Sequence, residues 1–208
     1  MSFTLFLPRD SDTLAIQIQT RRCHRHAPPD NARMNTRWKP SATVAAIIER
    51  DGKFLLVEEH TQDGLRLNNP AGHMDQGESP LQACARETLE ETAFHFTPGA
   101  LVGIYMSRFE RAIPGQDESL DITYLRFAFR GELGEQVAGQ ALDEGIVRTL
   151  WLTPDEIRAC AHLHRSPLLL RCMEDYLVGK TYPLELITTD SSVYGIEVPD
   201  TAPASPAI

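Results

Sequence analysis

No apolar run in this 208-residue chain approaches the ~20 residues that a membrane-spanning helix requires, so no membrane partner is expected. Positive charge is scarce: 20 Lys and Arg stand against 29 Asp and Glu, for a net charge of −9 and a pI near 5.2. That balance argues against a nucleic-acid polymer as partner, which favours a basic surface. A small anionic molecule stays compatible if a bound cation reverses the local field. Cysteines are few, at 23, 84, 160 and 172, without metal-type pairing and too sparse for a disulfide framework. They predict reduced thiols and a cytoplasmic protein. No internal repeat is visible, and a monomer and a homodimer both remain open. What is present is a 42% hydrophobic content, enough for one globular domain with a sizeable core.

Composition divides the chain in three. Met1–Arg33 carries five arginines against three aspartates and no lysine. With the next few residues it is expected to form an N-terminal extension, 1–38, outside the folded core, with Met34 as an alternative translation start. The apolar SFTLFL segment is short and precedes the positive charge, the wrong order for a secretory signal. Cys23, His24 and His26 lack a fourth partner at zinc-site spacing. Residues 39–187 are expected to fold as one domain. From Thr188 to Ile208 the chain turns to Ser, Thr, Pro and acid without periodicity, which predicts a disordered tail.

Within the domain, Thr43–Ile48 and Lys53–Glu58 are rich in Val, Ile and Leu, and Arg50-Asp51-Gly52 between them is a hairpin turn signal. Leu65–Asn68 is a short extended piece. Leu101–Phe109 predicts a strand after a break at Pro98-Gly99, and Pro114-Gly115 the turn that follows. Leu120–Arg130 alternates as a long central strand, Gly131–Gly145 reads as a polar loop, and Val147–Leu152 returns as a strand. Thr153 and Glu156 form a capping box around Pro154, predicting a short helix to about Cys160. Ser166-Pro167 opens a third helix that Gly179 closes, with Leu168, Cys172, Met173 and Tyr176 as its buried stripe. Strands and three helices in this order predict an α/β or α+β class.

The most informative stretch is Gly72–Phe94, GHMDQGESPLQACARETLEETAF. A loop bearing Gly72 and Gly77 leads to Ser79 as N-cap, Pro80 as first helical residue and Gln82 as capping-box partner. Helical spacing sends Leu81, Cys84, Ala85, Thr88 and Thr92 to a mostly apolar side. It gathers Glu87, Glu90 and Glu91 on another, where like charges three and four apart destabilise a helix by a few tenths of a kcal/mol per pair. A divalent cation removes that repulsion, and oxygen ligands suit Mg²⁺ or Mn²⁺. A solvated acidic face is the plainer alternative.

Glycine, five residues, glutamate, seven residues, Arg-Glu, then Glu-Glu two positions later resembles the Nudix box. Gly72, Glu78, Arg86, Glu87, Glu90 and Glu91 match it in identity and spacing. Thr88 stands where an aliphatic residue is usual, and Ala93 where the motif ends in a glycine suited to a left-handed turn. Around the box, NPAGH at Asn69–His73, RSPLL at Arg165–Leu169 and YPLEL at Tyr182–Leu186 are similar to the NudJ-type phosphatases of the Nudix superfamily.

The resemblance implies the Nudix fold, a mixed sheet between helical layers with the box as a loop-helix-loop. It implies Glu87 and Glu91 as principal metal ligands, Glu90 close behind, and the Ala71 carbonyl as a further ligand. Arg86 is expected to pair with Glu78 or orient Glu87. Asp143 and Glu144 are equal candidates for a loop acid acting as general base, and Glu144 joins Glu78, Arg86, Glu87, Glu90 and Glu91 in the expected catalytic set. His73 is a candidate near phosphate; Tyr105, Phe109, Tyr124 and Arg126 are candidates near an organic ring. The implied activity is Mg²⁺- or Mn²⁺-dependent hydrolysis of a small pyrophosphate: a nucleoside di- or triphosphate, thiamine pyrophosphate or hydroxymethylpyrimidine pyrophosphate. The alternatives are a nucleotide-sugar or ADP-ribose pyrophosphatase, and a ligand sensor of the same fold that does not cleave.

Overall fold

The structure, a computed structural model, describes residues 38–112 and 119–195. The extension up to residue 37, with Cys23, His24, His26 and Met34, lies outside the described residues. So do the turn at Pro114-Gly115 and the tail beyond 195.

Two four-stranded sheets carry the domain. In the first, β1 (Ser41–Ala46) lies between β5 (Ala71–His73), antiparallel to it, and β7 (Ser119–Gln136), parallel to it; β6 (Phe94–Ala112) flanks β7, giving the order β5-β1-β7-β6. In the second, β3 (Lys53–Thr61) pairs with β2 (Glu49–Arg50), β4 (Gly64–Asn68) and β8 (Ile146–Leu152). The β2–β3 hairpin turns at Asp51-Gly52, both at positive φ, as its sequence predicts.

Val44–Ile48 is buried without a gap, the pattern of a strand covered on both faces. Alternate residues go opposite ways. Ala45 and Ile47 join a core with Phe54, Leu56, Ile157, Leu169 and Met173. That core brings in α2 (Pro154–Ala159) and α3 (Leu168–Leu177). Val44, Ala46 and Ile48 join a second core with Leu55, Ala83, Cys84 and Phe129, covered by α1 (Pro80–Thr92). The fold is therefore the expected α/β arrangement with helices on both faces, the strands divided between one mixed and one antiparallel sheet.

Three sequence expectations change. Pro98-Gly99 does not interrupt β6, which runs for 19 residues; the register shifts there instead, so the break is absorbed as a bulge. Gly131 lies opposite, where an added Cβ would collide with the Thr97 carbonyl, so the two strands can approach only through glycine. The stretch 131–136, expected as loop, continues β7 against β6. In the segment expected to be without structure, Ser191–Tyr194 forms a 3₁₀ turn capped by the Asp190 side chain.

The later motifs now have structural partners. Tyr182 exchanges backbone hydrogen bonds with Leu101, 2.9 and 2.8 Å, tying YPLEL to the edge of β6. In RSPLL, the Arg165 N–H donates to the Leu67 carbonyl at 2.9 Å, its guanidinium pairs with buried Glu59, and the Ser166 hydroxyl accepts from the Leu168 N–H at 3.0 Å.

Candidate active site

Helix α1 starts where its sequence predicts. Ser79 Oγ accepts from the Gln82 N–H at 3.2 Å, and Gln82 Oε1 accepts from the Ser79 N–H at 2.9 Å. The buried side differs from the apolar stripe read from the sequence: Ala83 is buried and Ala85 only half-buried, while Glu87 and Glu91 are buried beside Thr88 and Thr92. The polar groups on this side are satisfied locally, since the Thr88 hydroxyl donates to the Cys84 carbonyl at 2.7 Å, the back-bonding that lets threonine replace an aliphatic residue. The helix ends at Ala93, whose φ of 59° is left-handed, a conformation costing a non-glycine residue about 1–2 kcal/mol.

Two of the three glutamates thus face β5. A Cβ added to Gly72 would overlap the Glu87 carboxyl, so this position of the motif must be glycine for Glu87 to lie across the strand. One step along, the Ala71 N–H donates to Glu91 Oε2 at 2.8 Å. Gly72 pairs with Val44 of β1. By strand alternation, the N–H and carbonyl of Ala71 both point to the free edge of β5, so the carbonyl expected as a ligand lies on the edge that Glu91 reaches.

Arg86 holds the cluster together. Its Nε and Nη2 donate to Glu78 Oε2 and Oε1 at 3.0 and 2.7 Å, Nη1 donates to Glu87 Oε1 and Glu90 Oε2, both at 2.9 Å, and Nη2 also donates to the His73 carbonyl at 2.9 Å. The two expected alternatives for Arg86 therefore occur together. Its fork holds the Glu78 carboxyl below the usual carboxylate range. Burial raises Glu87 despite Arg86, with Glu90 and Asp143 adding to the rise. Burial pushes Glu91 up to about 8 against the Ala71 N–H, again with the charges of Glu87 and Asp143 contributing.

Of the two loop acids, the fold brings Asp143 to the cluster. Its N–H donates to the Glu90 carbonyl at 2.9 Å, and its charge bears on Glu87 and Glu91. Both acids are exposed and neither side chain makes a described hydrogen bond or ion pair; Glu144, in the expected set, lacks the backbone tie to α1, and a turn at Gly145, φ 93°, separates it from β8.

Among the described residues no group of three or more His, Cys, Asp and Glu is already gathered as a metal cage. The donor chemistry nevertheless fits a hard divalent cation. Glu87 and Glu90 each give one oxygen to Arg86 and Glu91 gives one to Ala71, leaving the second oxygen of each carboxylate without a described hydrogen bond. Two carboxylates with raised proton affinity, held close to a third, are what a divalent charge would relieve.

A cavity of about 690 Å³ opens at this edge, with Ala71, Gly72 and His73 in its wall. Tyr124, Phe109 and Arg126 line it, as does RSPLL from Arg165 to Leu168, which gives that motif a place in the site. Tyr105 does not; its hydroxyl donates to Asp175 at 3.1 Å and its ring packs on the core. Sequence reasoning passed over Thr43 and Asn68, which also line the cavity with unpaired side-chain oxygens. Nothing in their local pattern marks them, because only the pairing of β1 with β7 and of β4 with β3 puts them there.

An acidic loop-helix-loop laid against a strand that lines a cavity, with helices on both faces of the strands, defines the Nudix class, and a model of the NUDIX domain matches residues 38–172. The chain belongs to this family and is an enzyme of its pyrophosphohydrolase class. It is 34% identical over 150 residues to the protein named Phosphatase NudJ in Escherichia coli K12, spanning 72% of this chain and 92% of that one. The protein of that name in Shigella flexneri matches to the same extent. Among solved structures, a NUDIX hydrolase from Nitrosomonas europaea is 48% identical with a TM-score of 0.65, covering 73% of this chain and 98% of that one. A second from that organism, 21% identical with a TM-score of 0.53 over 69% and 76% of the two chains, shares the fold.

Proposed function

We propose that this enzyme hydrolyses a small organic pyrophosphate, with Mg²⁺ or Mn²⁺ held by Glu87 and Glu91 and supported by Glu90 and the Ala71 carbonyl. The observation that carries the reading is the position of Glu87 and Glu91, buried against the β5 residues Gly72 and Ala71 that line the cavity, with one oxygen each left over. A bound divalent cation neutralises phosphate oxygens and lowers the pKa of water. The protein's own part is positioning: Glu78 fixes Arg86, Arg86 fixes one oxygen of Glu87 and of Glu90, and Ala71 fixes one of Glu91. Water attacks phosphorus, the bridging P–O bond breaks, and the water's proton passes to a carboxylate beside the cluster. Asp143 replaces Glu144 as the loop candidate for that base, since its charge bears on both buried glutamates.

Nucleoside di- and triphosphates, thiamine pyrophosphate and hydroxymethylpyrimidine pyrophosphate are the proposed substrates, as the motif resemblance to NudJ-type phosphatases implies. A panel of these with ADP-ribose and a nucleotide sugar, assayed in Mg²⁺ and in chelator, tests the reading, and product analysis shows which phosphate bond is cut. Metal-dependent release of phosphate from the first group is expected. Preference for ADP-ribose or the nucleotide sugar would shift the substrate class, and binding without cleavage of any member would make the protein a sensor.

A further inference from the structure

Arg126 sits in the middle of β7 with 8% of its surface exposed, and its Nε and Nη1 have no hydrogen-bond partner among the described residues. Burying a charged group without its full complement of partners is costly. Burial lowers the proton affinity of the guanidinium, and the charges of Cys172 and Glu91 with a Cys172 hydrogen bond offset this only in part. Buried polar groups are as a rule paired, so the donors of Arg126 that the protein leaves unmet call for a partner such as water, an ion or a ligand.

Its neighbours have the same unmet capacity. Across the parallel β1–β7 pairing Arg126 is opposite Thr43, whose hydroxyl is buried and unpaired, as is the side-chain oxygen of Asn68 on β4. These three residues come from three strands in two sheets, and all three line the same cavity. The charges of Arg126 and Glu91 also bear on one another, and Ala71, which holds Glu91, lines the same cavity as Arg126. Two residues outward on the same face of β7 is Tyr124, its ring 6.0 Å from that of His73. That step along a strand covers roughly 6.6 Å.

We propose that Arg126 is the anion receptor of this cavity: it binds a phosphate oxygen of the substrate, with Thr43 and Asn68 completing the polar floor, and is retained for affinity rather than for folding. This rests on the cavity being the substrate site of the hydrolase proposed above. The competing explanation is that ordered water alone serves these groups.

Calorimetric titration with imidodiphosphate, a non-hydrolysable pyrophosphate analogue, in Mg²⁺ decides between them, read together with thermal unfolding. Arg126→Met keeps the apolar volume and removes the charge. We expect affinity to fall about tenfold or more, as for loss of a charge-assisted hydrogen bond, with a melting temperature equal to or above that of the wild type. Arg126→Lys should retain part of the affinity, because a point charge replaces the planar donor. Unchanged affinity in Arg126→Met, or no binding to the wild type, overturns the proposal. So does a loss of melting temperature in both variants with affinity preserved in Arg126→Lys. If Arg126→Met fails to fold, Arg126→Lys decides: weaker binding at the wild-type melting temperature supports the proposal, and unchanged binding overturns it. Wild-type turnover is scored separately. Absence of Mg²⁺-dependent hydrolysis refutes the proposed function, while the titrations still decide the role of Arg126.

Discussion

Arg86 and Glu78 meet through two parallel hydrogen bonds, 3.0 Å from Nε to Oε2 and 2.7 Å from Nη2 to Oε1, and the same guanidinium holds Glu87 and Glu90 with its remaining nitrogen. The fork joins the loop before α1 to the helix itself, so the orientation of Glu87 and Glu90 depends on a residue that need not touch substrate.

Removing either partner should expose that dependence. Arg86 is about a quarter exposed, so Arg86→Ala is expected to cost about 1–3 kcal/mol in stability and a larger share of kcat than of KM. Glu78→Gln should show a milder form of the same defect. In urea unfolding, the double variant should lose less than the two singles added together, because residues in contact are coupled. Strict additivity would show that the pair is energetically idle.

The Glu78 contribution carries a pH signature. Its folded pKa lies below 4.5, so the unfolded chain binds its proton first as pH falls. The stabilisation is whole above the unfolded pKa and is lost as pH drops through the folded one. Melting temperature against pH from 6 down to 3 should therefore fall less steeply in Glu78→Gln than in the wild type.

Glu91 has the opposite sign. Its folded pKa of about 8 exceeds the unfolded value of 4.5, so in metal-free protein the native state holds the proton more tightly. Stability from this group is full below pH 4.5 and is lost as pH rises towards 8. Glu91→Gln should remove that slope, melting above the wild type at pH 8 without metal and close to it at pH 5, while abolishing Mg²⁺-dependent turnover. Added Mg²⁺ should raise the wild-type melting temperature more than that of the variant, since a ligand stabilises only the state that binds it. A wild type with no metal-dependent shift would remove Glu91 from the ligand set.

Gly72→Ala tests the packing of Glu87 on β5. The added methyl collides with the carboxyl, and overpacking of this kind costs about 1–3 kcal/mol. A fall in kcat of about 100-fold is expected, since small misplacements of catalytic groups have effects of that order. Wild-type turnover would mean that Glu87 does not work from the position seen here.

Ala93 offers a test independent of activity. Ala93→Gly relieves about 1–2 kcal/mol of left-handed strain, but loses a buried methyl worth about 0.8 kcal/mol and loosens the unfolded chain; a net change within about 1 kcal/mol is expected. Ala93→Val should lose about 2 kcal/mol or more, because a β-branched residue tolerates this conformation worst. Urea midpoints of the three proteins check both statements.

Local chemistry accounts for what the sequence alone determined. The capping boxes at Ser79–Gln82 and Thr153–Glu156, the Asp51-Gly52 turn and the spacing of Glu78, Arg86, Glu87, Glu90 and Glu91 are relations between residues a few positions apart, and short-range geometry fixes them before the chain folds. The NUDIX family was legible for the same reason, because its motif is continuous. Long-range pairing decided the rest. Pro98-Gly99 signals a break unless Gly131 stands opposite to admit a bulge, and 131–136 is polar but becomes strand because β6 is long enough to pair with it. Asp143 and Glu144 are equivalent in sequence; the contact of Asp143 with the Glu90 carbonyl separates them. The burial of Arg126 opposite Thr43, at the cavity that Asn68 also lines, depends on β1, β4 and β7 meeting there, and no pattern within any of those strands encodes it.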